Sequence, residues 1–194
     1  MTILPKKNLV IIGGLPGSGK THLGAMLSEQ VGLFLDKDTV SRFFSEFLLE
    51  ILGKSPNDRE SPEYLEKVRP LEYKTLIKIA KDNLAASHSV VCSAPFIKEF
   101  CDSDWVEKMQ VDVELSDSTC YFLWMNSDEE TLHERIRNRN AGRDLWKLAN
   151  WNTWYASVPK DPPTVTIPDL VVFDNRMTAG VSLQQQIATF LAHL

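Results

Sequence analysis

Long apolar runs are missing from this 194-residue sequence. None approaches the roughly 20 residues that a membrane-spanning helix needs. The apolar run after Lys6 and Lys7 is too short for a secretion signal, so the expected setting is cytoplasmic and reducing. Cysteine is scarce. Cys92, Cys101 and Cys120 are odd in number and lack metal-ligand spacing, which argues against a disulfide scaffold or a structural zinc site. Cys92 and Cys120 lie in strand-like runs and are expected as buried thiols. The histidines are scattered and form no ligand pattern. An excess of positive charge is also lacking. A formal net charge of -5 argues against non-specific nucleic-acid binding, although a local basic groove stays possible. There is no repeat and no low-complexity tract. What is present, 43% hydrophobic and 24% charged residues, describes an ordinary globular chain. Its length suits one domain over residues 1–194, large enough to bury a core without staples.

One stretch dominates: Gly14, Leu15, Pro16, Gly17, Ser18, Gly19, Lys20 and Thr21 fill every fixed position of the phosphate-loop pattern G-x-x-x-x-G-K-S/T. It follows the apolar run Leu9-Val10-Ile11-Ile12 and opens a helical run, the strand–loop–helix setting the pattern requires. Glycines let backbone N–H groups close around an anion, and a helix N-terminus adds free donors and partial positive charge. Lys20 is expected to reach the β- and γ-phosphates of a nucleotide, and the Thr21 hydroxyl to ligate Mg²⁺. Contacts to the nucleotide are expected from Gly14 through His22.

Apolar periodicity predicts strands at 8–13, 33–35, 89–93, 119–125 and 170–173. Helices are predicted at 20–30, 39–52, 61–87, 99–109, 128–138 and 181–193. Residues 1–7 look like a loose lead-in and 159–168 is proline-rich and irregular. In the first helix Leu23, Met26 and Leu27 face the sheet. In the second, Phe43, Phe44, Phe47, Leu48 and Ile51 form a core-like stripe. Pro70 should break or kink the third. Strands alternating with helices imply a parallel sheet covered on both faces, an α/β three-layer sandwich.

Ligands in such sheets bind beyond the carboxyl ends of the strands, and candidate residues collect there. Asp36 and Asp38 follow the second strand: Asp36 near Mg²⁺, and Asp38 as a general base or hydroxyl-positioning group. The alternative is a solvated turn in which Asp38 caps the following helix. Arg42 either binds an acceptor or pairs with Asp38. Arg135, Arg139 and Arg143 recur every four residues and on one helix would line a single face. Such a row suits a triphosphate; otherwise it is a solvated face paired with Glu129, Glu130 and Glu134. Gly142 would let this segment hinge as a lid. Ser93 ends the third strand, where an acidic residue is common in phosphate-loop proteins, and either hydrogen-bonds the site or simply ends the strand. Trp146, Trp151, Trp154 and Tyr155 cluster beside the lid, more in keeping with packing onto the core than with stacking on a ligand ring. No guanine-reading N-K-x-D run is present.

The phosphate loop, the run Leu35-Asp36-Lys37-Asp38, and the arginines from Glu134 to Asp144 together resemble the small P-loop kinases. These include relatives of shikimate kinase, gluconate kinase, chloramphenicol phosphotransferase and the zeta toxins, among AAA-family ATP-binding proteins. The resemblance implies a P-loop NTPase fold with a five-stranded parallel sheet in the order 2-3-1-4-5 and a helical lid near 135–158. It implies ATP and Mg²⁺ as cofactors and phosphoryl transfer to a small-molecule hydroxyl. It places Lys20, Asp38, Arg139 and Arg143 in catalysis, Arg135 and Asn175 beside the adenine, Thr21 and Asp36 at the metal, and Asp38 and Arg42 at the acceptor. Residues 43–73 match no substrate signature. An ATP-dependent module or toxin-like kinase acting on a macromolecule, a polynucleotide 5′-hydroxyl for example, is the alternative.

Overall fold

A computed structural model describes residues 7–194. Of the expected lead-in, 1–6 lie outside the described residues, and Lys7 already belongs to the first strand. That strand, β1 (Lys7–Gly13), is central, because its apolar run buries both faces. Helix α1 (Lys20–Val31) follows the phosphate loop, then β2 (Leu33–Asp36) and α2 (Lys37–Ile51). A π-helical turn, Tyr64–Val68, leads into α3 (Arg69–Ala85), and β3 (Val90–Ser93) comes next. Pro70 follows directly on the wider π turn in a run that is helical from 62 to 85, so the helix changes its winding where the proline lacks an N–H. The single helix predicted over 99–109 is two pieces, α4 (Ile97–Phe100) and α5 (Ser103–Glu114). Asp102 accepts from the Asp104 and Trp105 amides and starts α5 anew. After β4 (Ser118–Asn126) come α6 (Glu129–Arg139), a 3₁₀ turn at Gly142–Asp144, and the short helices α7 (Leu145–Ala149) and α8 (Trp151–Ser157). Turns fill 159–168 before β5 (Val171–Asp174) and α9 (Leu183–Leu191).

The five strands are parallel in the order β2-β3-β1-β4-β5. Alternate residues of β1 feed opposite cores. Leu9 and Ile11 join Leu76 and Ala80 of α3 and Val106 and Met109 of α5. Val10 and Ile12 join Leu23 and Leu27 of α1 and Ile187 and Phe190 of α9. The result is the helix–sheet–helix sandwich of a P-loop protein: β2 to β3 and β4 to β5 join neighbours, whereas β1 to β2 and β3 to β4 each pass over one strand.

Helix α2 departs from its predicted packing. Phe43, Phe44, Phe47 and Ile51 are exposed, Phe43 at 78%, whereas Lys37, Ser41, Ser45 and Leu49 are buried. The cause is Glu72 of α3, a carboxylate only 3% exposed. A buried charge demands partners, and α2 turns its polar face inward to supply them. The arginine row is also split. Asn140 takes φ 48° and ends α6, so Arg143 lies on the following 3₁₀ turn rather than on the helix with Arg135 and Arg139.

Candidate active site

The phosphate loop joins β1 to α1 along a path that side chains would block. Gly17 has φ 84°, and a Cβ there would come within 2.9 Å of Ile136. Gly19 has φ 100°, and a Cβ would come within 2.4 Å of the Asn175 amide. No side chain caps the start of α1, so its first N–H groups face the loop without a side-chain partner. The Ser18 hydroxyl is buried and makes no hydrogen bond. The Lys20 ammonium donates to the Leu15 carbonyl at 2.8 Å. Burial lowers its pKa to about 7, against a partial counter-effect of Asp38. Free amides, an orphaned hydroxyl and a strained ammonium together fit a polyanion.

Asp36 links this cradle to the sheet. One carboxylate oxygen accepts from the Thr21 hydroxyl at 3.1 Å and the Ser93 hydroxyl at 2.7 Å. The other accepts from the Asp38 and Thr39 amides at 3.1 and 3.2 Å. Asp36, and not Asp38, therefore caps α2. Asp36 and Ser93 are paired residues of β2 and β3, which brings them together at the strand ends. Among the described residues, no cluster of three or more histidine, cysteine or acidic side chains is poised to hold a metal. The oxygens of Thr21 and Asp36 fit Mg²⁺, which takes few protein ligands and completes its shell with phosphate and water.

Asp38 is held by cations. Lys37 Nζ lies 3.0 Å from one of its oxygens, and Arg143 pairs with the other. Burial alone would raise its pKa, but Lys37 first and Arg143 next outweigh that and hold the carboxyl down to about 2. Lys37 is buried too and also donates to Glu72 at 2.6 Å. Desolvation would lower its pKa, yet Asp38 and Glu72 drive it upward. Ser45 and the Tyr64 hydroxyl complete the shell of Glu72, at 2.6 and 2.9 Å. Sequence reasoning missed Lys37 and Glu72. The Asp-Lys-Asp spacing did hold a signal for Lys37, a cation between two candidate carboxylates; nothing in the sequence pointed to Glu72.

A cavity of about 360 Å³ opens at the carboxyl ends of the strands. Gly17, Lys20, Thr21, Asp36, Asp38, Arg139 and Arg143 all line it, so the residues expected at the metal and in catalysis converge. Arg139 makes two 2.8 Å bonds to the buried Asp144 carboxylate. Arg135 and Asn175 meet outside the cavity, both donating to the Ser18 carbonyl, at 3.4 and 2.7 Å. Arg42 and His22 do not join either. Arg42 is largely exposed and pairs with Glu46 at 2.9 Å, one turn along α2, and not with Asp38. His22 is exposed and outside the cavity wall. Trp151 and Trp154 pack within the lid, with ring centroids 5.0 Å apart. Among the described residues, no helix is long and apolar enough to cross a membrane.

The family model described as an AAA domain matches residues 9–160, from β1 through the lid. The chain belongs to the AAA-domain family. No curated protein matches it. Among solved structures, this AAA-domain chain superimposes on Chaetomium thermophilum Kti12 in complex with ADP-AlF3, with TM-score 0.60 and 18% identity over 95% of this chain and 97% of that one. A gluconokinase from Sinorhizobium meliloti 1021 gives TM-score 0.57 and 18% identity over 97% and 90%. Shikimate kinase from Acinetobacter baumannii in complex with shikimate gives 0.53 and 16% over 97% and 92%. At these identities the likeness concerns the fold: a small P-loop kinase or NTPase architecture, with its nucleotide cradle in place.

Proposed function

We propose that this protein transfers the γ-phosphate of ATP to a hydroxyl of a small-molecule acceptor. One observation carries the reading: residues of the phosphate cradle and the carboxylate of Asp38 line a single cavity. A cradle alone would suit any NTPase; a carboxylate opposite it supplies what a positioned hydroxyl nucleophile needs. The loop amides and Lys20 bind the phosphates. Thr21 and Asp36 hold the metal, which supplies charge neutralisation on the phosphate oxygens when bound. Arg139 and Arg143, which line the same cavity, supply positive charge where negative charge develops. Asp38 accepts the hydrogen bond of the acceptor hydroxyl and aims it. With its pKa held near 2 it is a weak base, which suits a loose transition state in which the proton moves late. ATP, Mg²⁺ and a cytoplasmic setting belong to this reading.

The test is acceptor-dependent ADP release over a panel of hydroxy compounds with Mg²⁺ and ATP, paired with ³¹P NMR of the product. A phosphorylated acceptor is expected, and Asp38→Asn should abolish it while nucleotide binding survives. ADP release that never exceeds the acceptor-free rate overturns the reading.

A further inference from the structure

A second cavity, about 530 Å³, lies between the 55–61 loop and the first turns of the lid. Arg59, Glu60 and Arg143 line both cavities, so the outer one adjoins the inner one that holds Asp38. Three features distinguish its wall. First, Arg59 has no acidic partner among the described residues, whereas Arg69, Arg139 and Arg143 of the inner cavity each face a carboxylate. Its Nη1 donates only to the Pro56 and Asp58 carbonyls, at 3.0 and 2.6 Å. Its Nε is shielded from solvent and bonds to nothing. Its guanidinium carbon lies 5.2 Å from the centroid of the Tyr64 ring, and the half-buried fork, with no carboxylate in ion-pair reach among the described residues, is left for an anion. Second, Trp146 is 46% exposed and, unlike Trp151 and Trp154, pairs with no aromatic ring among the described residues. With Leu145 beside it, it offers an apolar platform. Third, the opposite wall is polar, from Asn57 and Ser61, and Gly142 brings the lid against it: a Cβ there would come within 2.9 Å of Asn57.

We propose that the outer cavity is a distal acceptor subsite, with Arg59 binding an anionic group of the acceptor and Trp146 stacking on a flat ring at its far end. The acceptor class is then a hydroxyl compound that carries a carboxylate or phosphate and an aryl or heterocyclic end group. This rests on the phosphotransfer reading for the position of the hydroxyl. Arg59 and Trp146 act by binding, with no bond made or broken at either.

The test uses a four-compound set with Mg²⁺ and a non-hydrolysable ATP analogue saturating the phosphate loop. 4-Nitrophenyl β-D-glucuronide has the anion and the ring; methyl β-D-glucuronide lacks the ring; 4-nitrophenyl β-D-glucoside lacks the anion; methyl β-D-glucoside lacks both. Calorimetry should show the first binding about tenfold tighter than either single-feature compound. Arg59→Met should erase the preference for the carboxylate and leave that for the ring, and Trp146→Ala the reverse. Arg59→Lys, which keeps the charge but not the fork, should restore only part of the anion preference. Melting temperatures of the variants check that each folds. Equal affinities across the set, or preferences that survive both substitutions, overturn the subsite. ADP release from the same set with ATP separates the two claims. Transfer to methyl β-D-glucoside without anion or ring preference leaves the kinase reading standing and removes the subsite. Selective binding without transfer to any of the four supports the subsite and counts against the kinase reading.

Discussion

Lys20 and Asp38 show how strongly the unliganded site is poised. Lys20 is depressed to about 7, below its ordinary 10.5, so the free fold bears a cost for charging it. That cost is fully present below pH 7 and fades as pH rises toward the unfolded value. A triphosphate beside it reverses the shift, so binding above pH 7 must take up protons. At pH 8, calorimetry of MgATP-analogue binding in buffers of different ionisation enthalpy should report uptake of about one proton, absent in Lys20→Met. Nucleotide affinity should accordingly weaken as pH rises above 7. Asp38 behaves oppositely. Its pKa of about 2 lies below the unfolded value, so its ion pairs contribute stability above that unfolded value and lose it as pH falls through 2. Between pH 5 and 8 it stays ionised, and the turnover profile should carry no limb from it. Asp38→Asn is expected to reduce acceptor-dependent turnover by about 10²- to 10⁴-fold, with nucleotide affinity nearly unchanged.

Among the elements, α2 is the one whose orientation hydrophobicity alone misjudges. Its apolar stripe is the more conspicuous feature in the sequence, yet the helix follows Glu72. A buried carboxylate demands partners, and Lys37 and Ser45 on the inward face of α2 supply them. Three substitutions separate the faces. Glu72→Ala removes one of the two carboxylates that pair the buried Lys37 and should destabilise by about 1.5–3 kcal/mol. Leu49→Ala, on the buried face, should cost about 2–5 kcal/mol. Phe47→Ser, on the exposed face, should stay within about 0.5 kcal/mol of the parent. Denaturant unfolding measures all three, and a large loss for Phe47→Ser would show that the aromatic face is covered. The lid likewise follows from one residue. Asn140 ends α6 in a left-handed turn and sends Arg143 across to Asp38, which a continuous helix would not do.

At the scale of the whole molecule the expected site residues gather at the carboxyl ends of the strands, and the 142–147 segment is tied to Asp38 and Glu60 by Arg143 and Lys147. The cradle exists only in the folded chain, so nucleotide binding must stabilise the fold. At a hundred times its dissociation constant, a MgATP analogue should add about 2.7 kcal/mol and raise the melting temperature by about 5–10 °C. Lys20→Met should show little of this shift in a thermal denaturation series.

Local signals were enough for much of this. Strand and helix periods, the filled phosphate-loop pattern and carboxylates just after a strand are short-range features, and they announced the parallel sheet, the cradle, and Asp36 and Asp38. Resemblance supplied the strand order. Which face α2 buries, that Asp36 rather than Asp38 is the helix cap, that Arg42 stays outside while Lys37 comes in, and that Arg59 sits between two cavities were decided only in three dimensions. Each depends on a partner far along the chain, such as Glu72 for Lys37 or Ser93 for Asp36. No local pattern encodes a pairing that exists only once the sheet has closed.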